Sequence, residues 1–532
     1  MRMRAVERSA LIGSVLAALT VVGPTHAAAQ SRVEFTLPFG KYDVGFRDVH
    51  LFDSSRAVLG TDSLGERLSW RPRPLQVSIW YPALTAAGAT PMRYREYVWL
   101  FATPLSFAGT DERGHTGAER AFLDWLVDFT DKPPGWRPGR LAELEAARRR
   151  EFDVPTHAFR NAAQASGNFP IIIYAPGMGG PSFENDILME YLASHGYIVL
   201  ASPSWGAGTA MAVDRATMEA QARDIEFLAG YARGMPGTRG AAVGVVGHSW
   251  GGLTNVVAAN RTSSISAVAS LDGSIRYFGR RDFVRSELAT SSGYTTPSLF
   301  LNQGVNRDVR FFAQNGADTD FVFFDSLRYA PAWRVSMNAI DHQNFVAAYN
   351  RFSGQQRLNF VSDSAVTNRG YEDVARMLLS FFDATLKRNG MVVWSPPAPV
   401  APSKSGQTVV ATRALRPLPN VASFVAGARA NGGLARACTF LAQVRQTNPT
   451  YTLPYGDLSN LGWSTDSAPE ALGVFCVAAD LYPMMPSAHS DLGDAYLANR
   501  DTANAIRSFE RVLQLDSTRT YAKAQLAKLR PR

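Results

Sequence analysis

Two hydrophobic periods alternate through the middle of the chain. Residues 169–174 read Phe-Pro-Ile-Ile-Ile-Tyr, an unbroken apolar run of the kind a strand shows when both of its faces are buried. Helical spacing follows over 184–194, then a short strand over 197–201, a long helical pattern over 214–233, a strand over 241–246, a helix over 250–259 and a strand over 266–271. Strands and helices in strict alternation predict a mostly parallel sheet joined by right-handed crossovers. Upstream, residues 33–82 are strand-rich and end in an alternating run stopped by Pro82, which predicts an antiparallel edge. Residues 111–165 break the alternation with helical runs at 119–128 and 141–151 around Pro133-Pro134-Gly135. This insertion reads equally as a lid over a pocket or as a surface excursion.

The pattern changes again after residue 394. Residues 395–406 are rich in proline and serine and predict an extended linker, set at 395–417. Beyond it, Ala471, Phe475 and Leu481 recur 34 residues on as Ala505, Phe509 and Leu515, and Leu461-Gly462 recurs after 31 as Leu492-Gly493. That period, with Leu-Gly on a first helix and Ala-x3-Phe on a second, resembles tetratricopeptide repeats. It makes residues 418–532 a small all-helical domain and a candidate docking surface for a protein partner.

The strand at 241–246 runs into Gly247-His248-Ser249-Trp250-Gly251, with Leu253, Val256 and Val257 at helical spacing behind it. A serine on a tight strand-to-helix turn, flanked by glycines that let the backbone pass, is a nucleophile elbow. The strand at 169–174 ends in Gly177-Met178-Gly179-Gly180, where free N–H groups could face a developing oxyanion. The N–H groups of Met178 and Trp250 are the expected donors. A serine needs a base, and of the eight histidines only His342 follows the elbow inside the same α/β segment. Two acids end strands downstream of the elbow, Asp272 and Asp308, and both remain candidates on position alone.

Composition adds a compartment. The 532 residues are 46% hydrophobic, enough for two folded units. Residues 1–29 carry Arg2, Arg4 and Arg8, an apolar run over 10–22 and a small-residue tract ending at Ala29, which predicts a secretory signal peptide and an exported chain. The formal charge of +8 is thinly spread and gives no support for nucleic-acid binding. The two cysteines, Cys438 and Cys476, are the only thiols and share one small domain, so export predicts a disulfide between them. No metal-binding spacing is present and no cofactor is implied.

With these residues placed, the segment from about 33 to 385 resembles the type II platelet-activating-factor acetylhydrolases, which have the α/β-hydrolase fold. The carriers are Leu192-Ala193-Ser194-His195-Gly196-Tyr197-Ile198-Val199, Gly247-His248-Ser249-Trp250-Gly251-Gly252, Leu271-Asp272-Gly273 and His342-Gln343-Asn344-Phe345. The resemblance implies Ser249 as nucleophile, Asp272 as acid and His342 as base, in a catalytic domain spanning 30–394. It departs at Pro176, where the family has histidine, and at Ser202-Pro203-Ser204-Trp205, which replaces a charged string. Both departures alter the pocket wall. The expected function is therefore an exported serine hydrolase of a small-molecule or lipid carboxylic ester, with a short acyl group. A peptidase or polyester hydrolase using the same triad, or a scaffold working through its helical repeats, are the competing readings.

Overall fold

The computed structural model describes residues 33–530 apart from 62–67, 104–110, 129–148, 206–211, 288–293, 305–319, 328, 353–363, 389–391, 393, 399–406, 413–419 and 448–450. The signal peptide expected at residues 1–29 therefore lies outside the described residues.

Eleven strands form one sheet: β1 (Asp43–Thr61), β2 (Leu68–Leu84), β3 (Ala158–Arg160), β4 (Ala163–Gln164), β5 (Ile171–Ala175), β6 (Ile198–Ala201), β7 (Val243–His248), β8 (Ala267–Leu271), β9 (Ser298–Gln303), β10 (Ala332–Met337) and β11 (Gln407–Thr412). Their spatial order is β11-β10-β9-β8-β7-β5-β6-β2-β1-β3, with β4 paired to β2. From β6 through β10 every pairing is parallel, while β2 runs antiparallel to both β1 and β6. The strand-rich start of the chain is thus the antiparallel edge that its alternation predicts.

Strands β5 to β9 are buried at every residue because helices cover both faces. On β5, Ile172 and Tyr174 enter one core while Ile171, Ile173 and Ala175 enter the other, as the two-residue period of a strand requires. The helices that position the site are α1 (Glu112–Asp128), α2 (Asp186–Ser194), α3 (Arg215–Arg233), α4 (Trp250–Arg261), α5 (Ala347–Phe352) and α6 (Ser364–Leu386). The chain leaves β5 for β6 on one side and returns to β7 on the other, so the strand order reverses between β5 and β7. Ligands of such sheets bind outside the carboxyl ends of the strands at this switch. This is the α/β-hydrolase fold, followed by an all-helical C-terminal region.

Two expectations need correction or narrowing. The linker at 395–417 contains β11, which pairs antiparallel with β10 and extends the sheet by one strand. Prolines and serines nearby masked the β-branched residues of Thr408-Val409-Val410. In the insertion, α1 is not only a surface excursion: Phe122 is buried against Tyr94, Phe183 and Phe352, and Trp125 against Phe122 and Tyr349, in the main core. Most of the 141–151 run lies outside the described residues.

The C-terminal region comprises α7 (Val421–Ala430), α8 (Ala437–Thr447), α9 (Tyr455–Ser464), α10 (Ala468–Leu481), α11 (Pro486–Ala498), α12 (Thr502–Leu515) and α13 (Thr520–Leu529). One contact repeats in it. A Cβ on Gly462 would fall 2.4 Å from the Phe475 ring, and one on Gly493 would fall 2.8 Å from the Phe509 ring. In both hairpins, then, the glycine of the first helix admits the phenylalanine of the second, which is why Leu-Gly and Ala-x3-Phe recur together. Cys438 and Cys476 are joined, with their Cα atoms 5.7 Å apart.

Candidate active site

Ser249, His342 and Asp272, the acid that the resemblance implies, meet at the carboxyl edge of the sheet. β7 carries the chain to Ser249, whose backbone sits at φ 50° and ψ −114° before α4 begins. A left-handed conformation in a residue with a Cβ costs about 1 to 3 kcal/mol and persists only where its surroundings enforce it. Here they do. Ser249 N–H donates to Leu271 O at 3.1 Å, and Ser249 O accepts from Gly252 N–H at 3.0 Å and Ser274 N–H at 2.7 Å. Gly251 passes so close to the end of β5 that a Cβ there would lie 2.0 Å from Ala175 O.

His342 opens the 3-10 turn His342–Phe345 after β10. Its Nδ1 lies 2.6 Å from Asp272 Oδ2 and its Nε2 lies 3.0 Å from Ser249 Oγ. A carboxylate can only accept, so the proton is on Nδ1 and Nε2 is free to take the serine proton. The main chain of His342 is fixed as well, its N–H donating to Gln303 Oε1 at 3.2 Å.

Asp272 ends β8, also with positive φ, at 43°. Its side chain is fully buried, and Oδ1 accepts from Tyr277 OH at 2.6 Å and from Gln303 N–H at 3.1 Å. Burial alone would raise this carboxyl. The hydrogen bond and charge of His342, helped by Arg276 and Tyr277, outweigh it and hold Asp272 below the usual carboxylate range. The group therefore stays ionised throughout the range in which His342 must cycle. Asp308, the other acid candidate, lies outside the described residues.

The loop after β5 has a selective pattern of free donors. Gly177 N–H donates to Glu184 Oε1 at 2.9 Å, Gly179 N–H to Ser204 O at 3.0 Å and Gly180 N–H to Gly177 O at 2.8 Å. Met178 N–H, between them, has no acceptor among the described residues, and neither has Trp250 N–H at the start of α4. These are the two donors expected from the glycine loop and the elbow.

Aromatic rings lead away from this loop. The Trp205 ring is 5.8 Å from Phe101, Phe101 is 6.4 Å from Trp125 on α1, and Trp125 stacks at 5.3 Å on Tyr349 of α5. The insertion thus connects the loop after β6 to the helix that follows His342.

No family model matches the chain, and no curated protein does. Among solved structures, a ferulic acid esterase from Streptomyces cinnamoneus is similar at 20% identity with a TM-score of 0.49, over 72% of this chain and 100% of that one.

Sequence reasoning missed four residues of the site. Gln303 reaches Asp272 because β8 and β9 end side by side, and Tyr277 reaches it from the short helix Ile275–Phe278 just after β8; no motif in the sequence marks either. His248 and Glu184 were visible, one inside the elbow string and one just past the glycine loop, but nothing in either string marks a buried polar pair.

Proposed function

We propose that the chain is a serine hydrolase that cleaves a carboxylic ester through an acyl-enzyme intermediate. One observation carries this reading: the continuous hydrogen-bonded chain from Ser249 Oγ through His342 to Asp272, with the Met178 and Trp250 N–H groups, unpaired among the described residues, in the adjoining loop and elbow. His342 Nε2 removes the Ser249 proton as Oγ attacks the carbonyl carbon. The resulting oxyanion is held by the two N–H groups, and the imidazolium is stabilised by Asp272. His342 then protonates the departing alcohol, and a water activated by the same nitrogen hydrolyses the acyl-enzyme.

The finer reading rests on the acetylhydrolase-like strings and favours a short acyl group on a small-molecule or lipid ester. The signal-peptide pattern and the Cys438–Cys476 bond together favour an exported protein. The repeated glycine–phenylalanine contact favours a tetratricopeptide-like tail, a form suited to docking a protein partner.

The test is a panel of p-nitrophenyl esters graded by acyl length, run beside aminoacyl amides, on wild type and Ser249→Ala. Wild type should prefer short esters and react with a fluorophosphonate probe. Ser249→Ala should lose both turnover and labelling with an unchanged circular dichroism spectrum. Labelling retained in Ser249→Ala would rule out this nucleophile, and faster cleavage of amides than esters would replace the esterase by a peptidase.

A further inference from the structure

Behind the catalytic loop lies a buried polar segment that the mechanism above does not use. Glu184, Asn185 and Asp186 follow the glycine loop, and all three side chains are buried. Glu184 Oε1 accepts from Gly177 N–H at 2.9 Å and from Tyr174 OH at 2.7 Å. The Glu184 carbonyl accepts from Ala348 N–H at 2.9 Å, just beyond the histidine turn. Asn185 donates to Phe345 O at 3.0 Å and accepts from Ala347 N–H at 3.1 Å, and Asp186 pairs with Arg351 at 2.5 Å. Three consecutive residues thus fasten the oxyanion loop on one side and the segment following His342 on the other.

His248 completes the connection. Its Nε2 lies 2.9 Å from the carbonyl oxygen of His342, which can only accept, so the proton of a neutral ring is on Nε2. That leaves Nδ1, buried and with no hydrogen-bond partner among the described residues, 3.9 Å from Glu184 Oε1. The imidazoles of His248 and His342 are 4.7 Å apart between centroids.

We propose that Glu184 is a positioning residue for the hydrolytic reaction: its buried carboxyl fixes the oxyanion loop at Gly177 and places a titratable group behind His342, across His248. The inference rests on the serine hydrolase reading. Two buried groups this close favour the arrangement with the fewest charges. Burial, eased by the Gly177 and Tyr174 hydrogen bonds and by His342, pushes Glu184 up to about 7, and burial together with His342 pushes His248 down to about 3. Below about 7 Glu184 is held as the acid, and His248 is the neutral ring down to about 3, so the 3.9 Å approach is not an ion pair there. The titratable groups facing Glu184 are Tyr174 from β5, His248 from β7, His342 from its turn and Tyr349 from α5.

Above about 7 the Glu184 carboxylate forms behind the oxyanion loop, so wild-type reactivity carries an ionisation near 7 that belongs to Glu184 and that an amide in its place cannot have.

The experiment follows the rate of fluorophosphonate labelling across pH, together with kcat and KM on the best p-nitrophenyl ester, for wild type, Glu184→Gln and Glu184→Ala. Glu184→Gln keeps an acceptor for Gly177 N–H, and its pH profile should lack the inflection near 7 that the Glu184 ionisation adds to the wild type. Glu184→Ala leaves the loop unfastened, and kcat should fall roughly 10²-fold with KM little changed, since a misplaced oxyanion donor acts on the transition state. Glu184→Gln should recover most of that loss. A Glu184→Gln profile that superimposes on a reactive wild type overturns the inference alone, whether or not Glu184→Ala folds. A wild-type chain that takes no label overturns the hydrolase reading and this inference with it.

Discussion

At the scale of single residues, the acid is the position where chain order and geometry can be separated. Asp272 holds the tautomer of His342 through a 2.6 Å contact, and its amide cannot. Asp272→Asn should therefore lower kcat by roughly 10⁴-fold with the fold intact, as when a triad acid is replaced by its amide. Tyr277→Phe removes one of the bonds orienting that carboxylate and should cost much less, roughly a few-fold to tenfold in kcat. Steady-state kinetics on one ester orders the two, and the reverse order would move the acid elsewhere. Asp272 is also a stability statement. Its folded value lies below its unfolded one, so its contribution is complete above the unfolded value and is lost as pH falls through the folded value. Ser249 and His342 were legible because a turn motif and the scarcity of histidine each leave one choice. Asp272 was legible only as one of two, because an acid ending a strand carries no sign of which histidine it will face.

At the scale of elements, the elbow depends on how closely β5, β7 and α4 converge. Gly251→Ala would drive a methyl group into the carbonyl of Ala175, backbone that cannot rotate away. It should cost about 3 kcal/mol or more, read as a lower thermal midpoint together with lost labelling of Ser249. The parallel strands were readable from their apolar runs because both of their faces are buried. β11 was not, since a six-residue edge strand lacks such a run and lies among residues whose composition signals a loop. The repeated hairpins of the tail were readable for a physical reason: each small residue on a first helix seats a ring from a second, and that pairing has to recur with the repeat.

At the scale of the whole molecule, the tail is not free of the α/β unit. Arg223 of α3 pairs with Asp516 and donates to Thr518 Oγ1 at 3.0 Å, and Arg56 on β1 forms a backbone bridge with Arg519. The disulfide acts within the tail. Its ends are 38 residues apart in sequence, and opening it in a Cys438→Ser/Cys476→Ser variant should cost about 3 to 4 kcal/mol on the chain-entropy account. Because both cysteines lie on helices of the tail, ester turnover should change little while the unfolding transition of the tail moves down. Calorimetry in the presence and absence of a reductant separates the two.

The late strand β11 has a consequence for anyone who shortens the chain. It hydrogen-bonds along β10 from Trp333 to Met337, the strand that leads into the His342 turn. A fragment ending at residue 398 would lose those bonds and should show a lower thermal midpoint and weaker labelling of Ser249 than one ending at residue 412. What looks like a dispensable tether is one of the strands that hold the histidine turn in place.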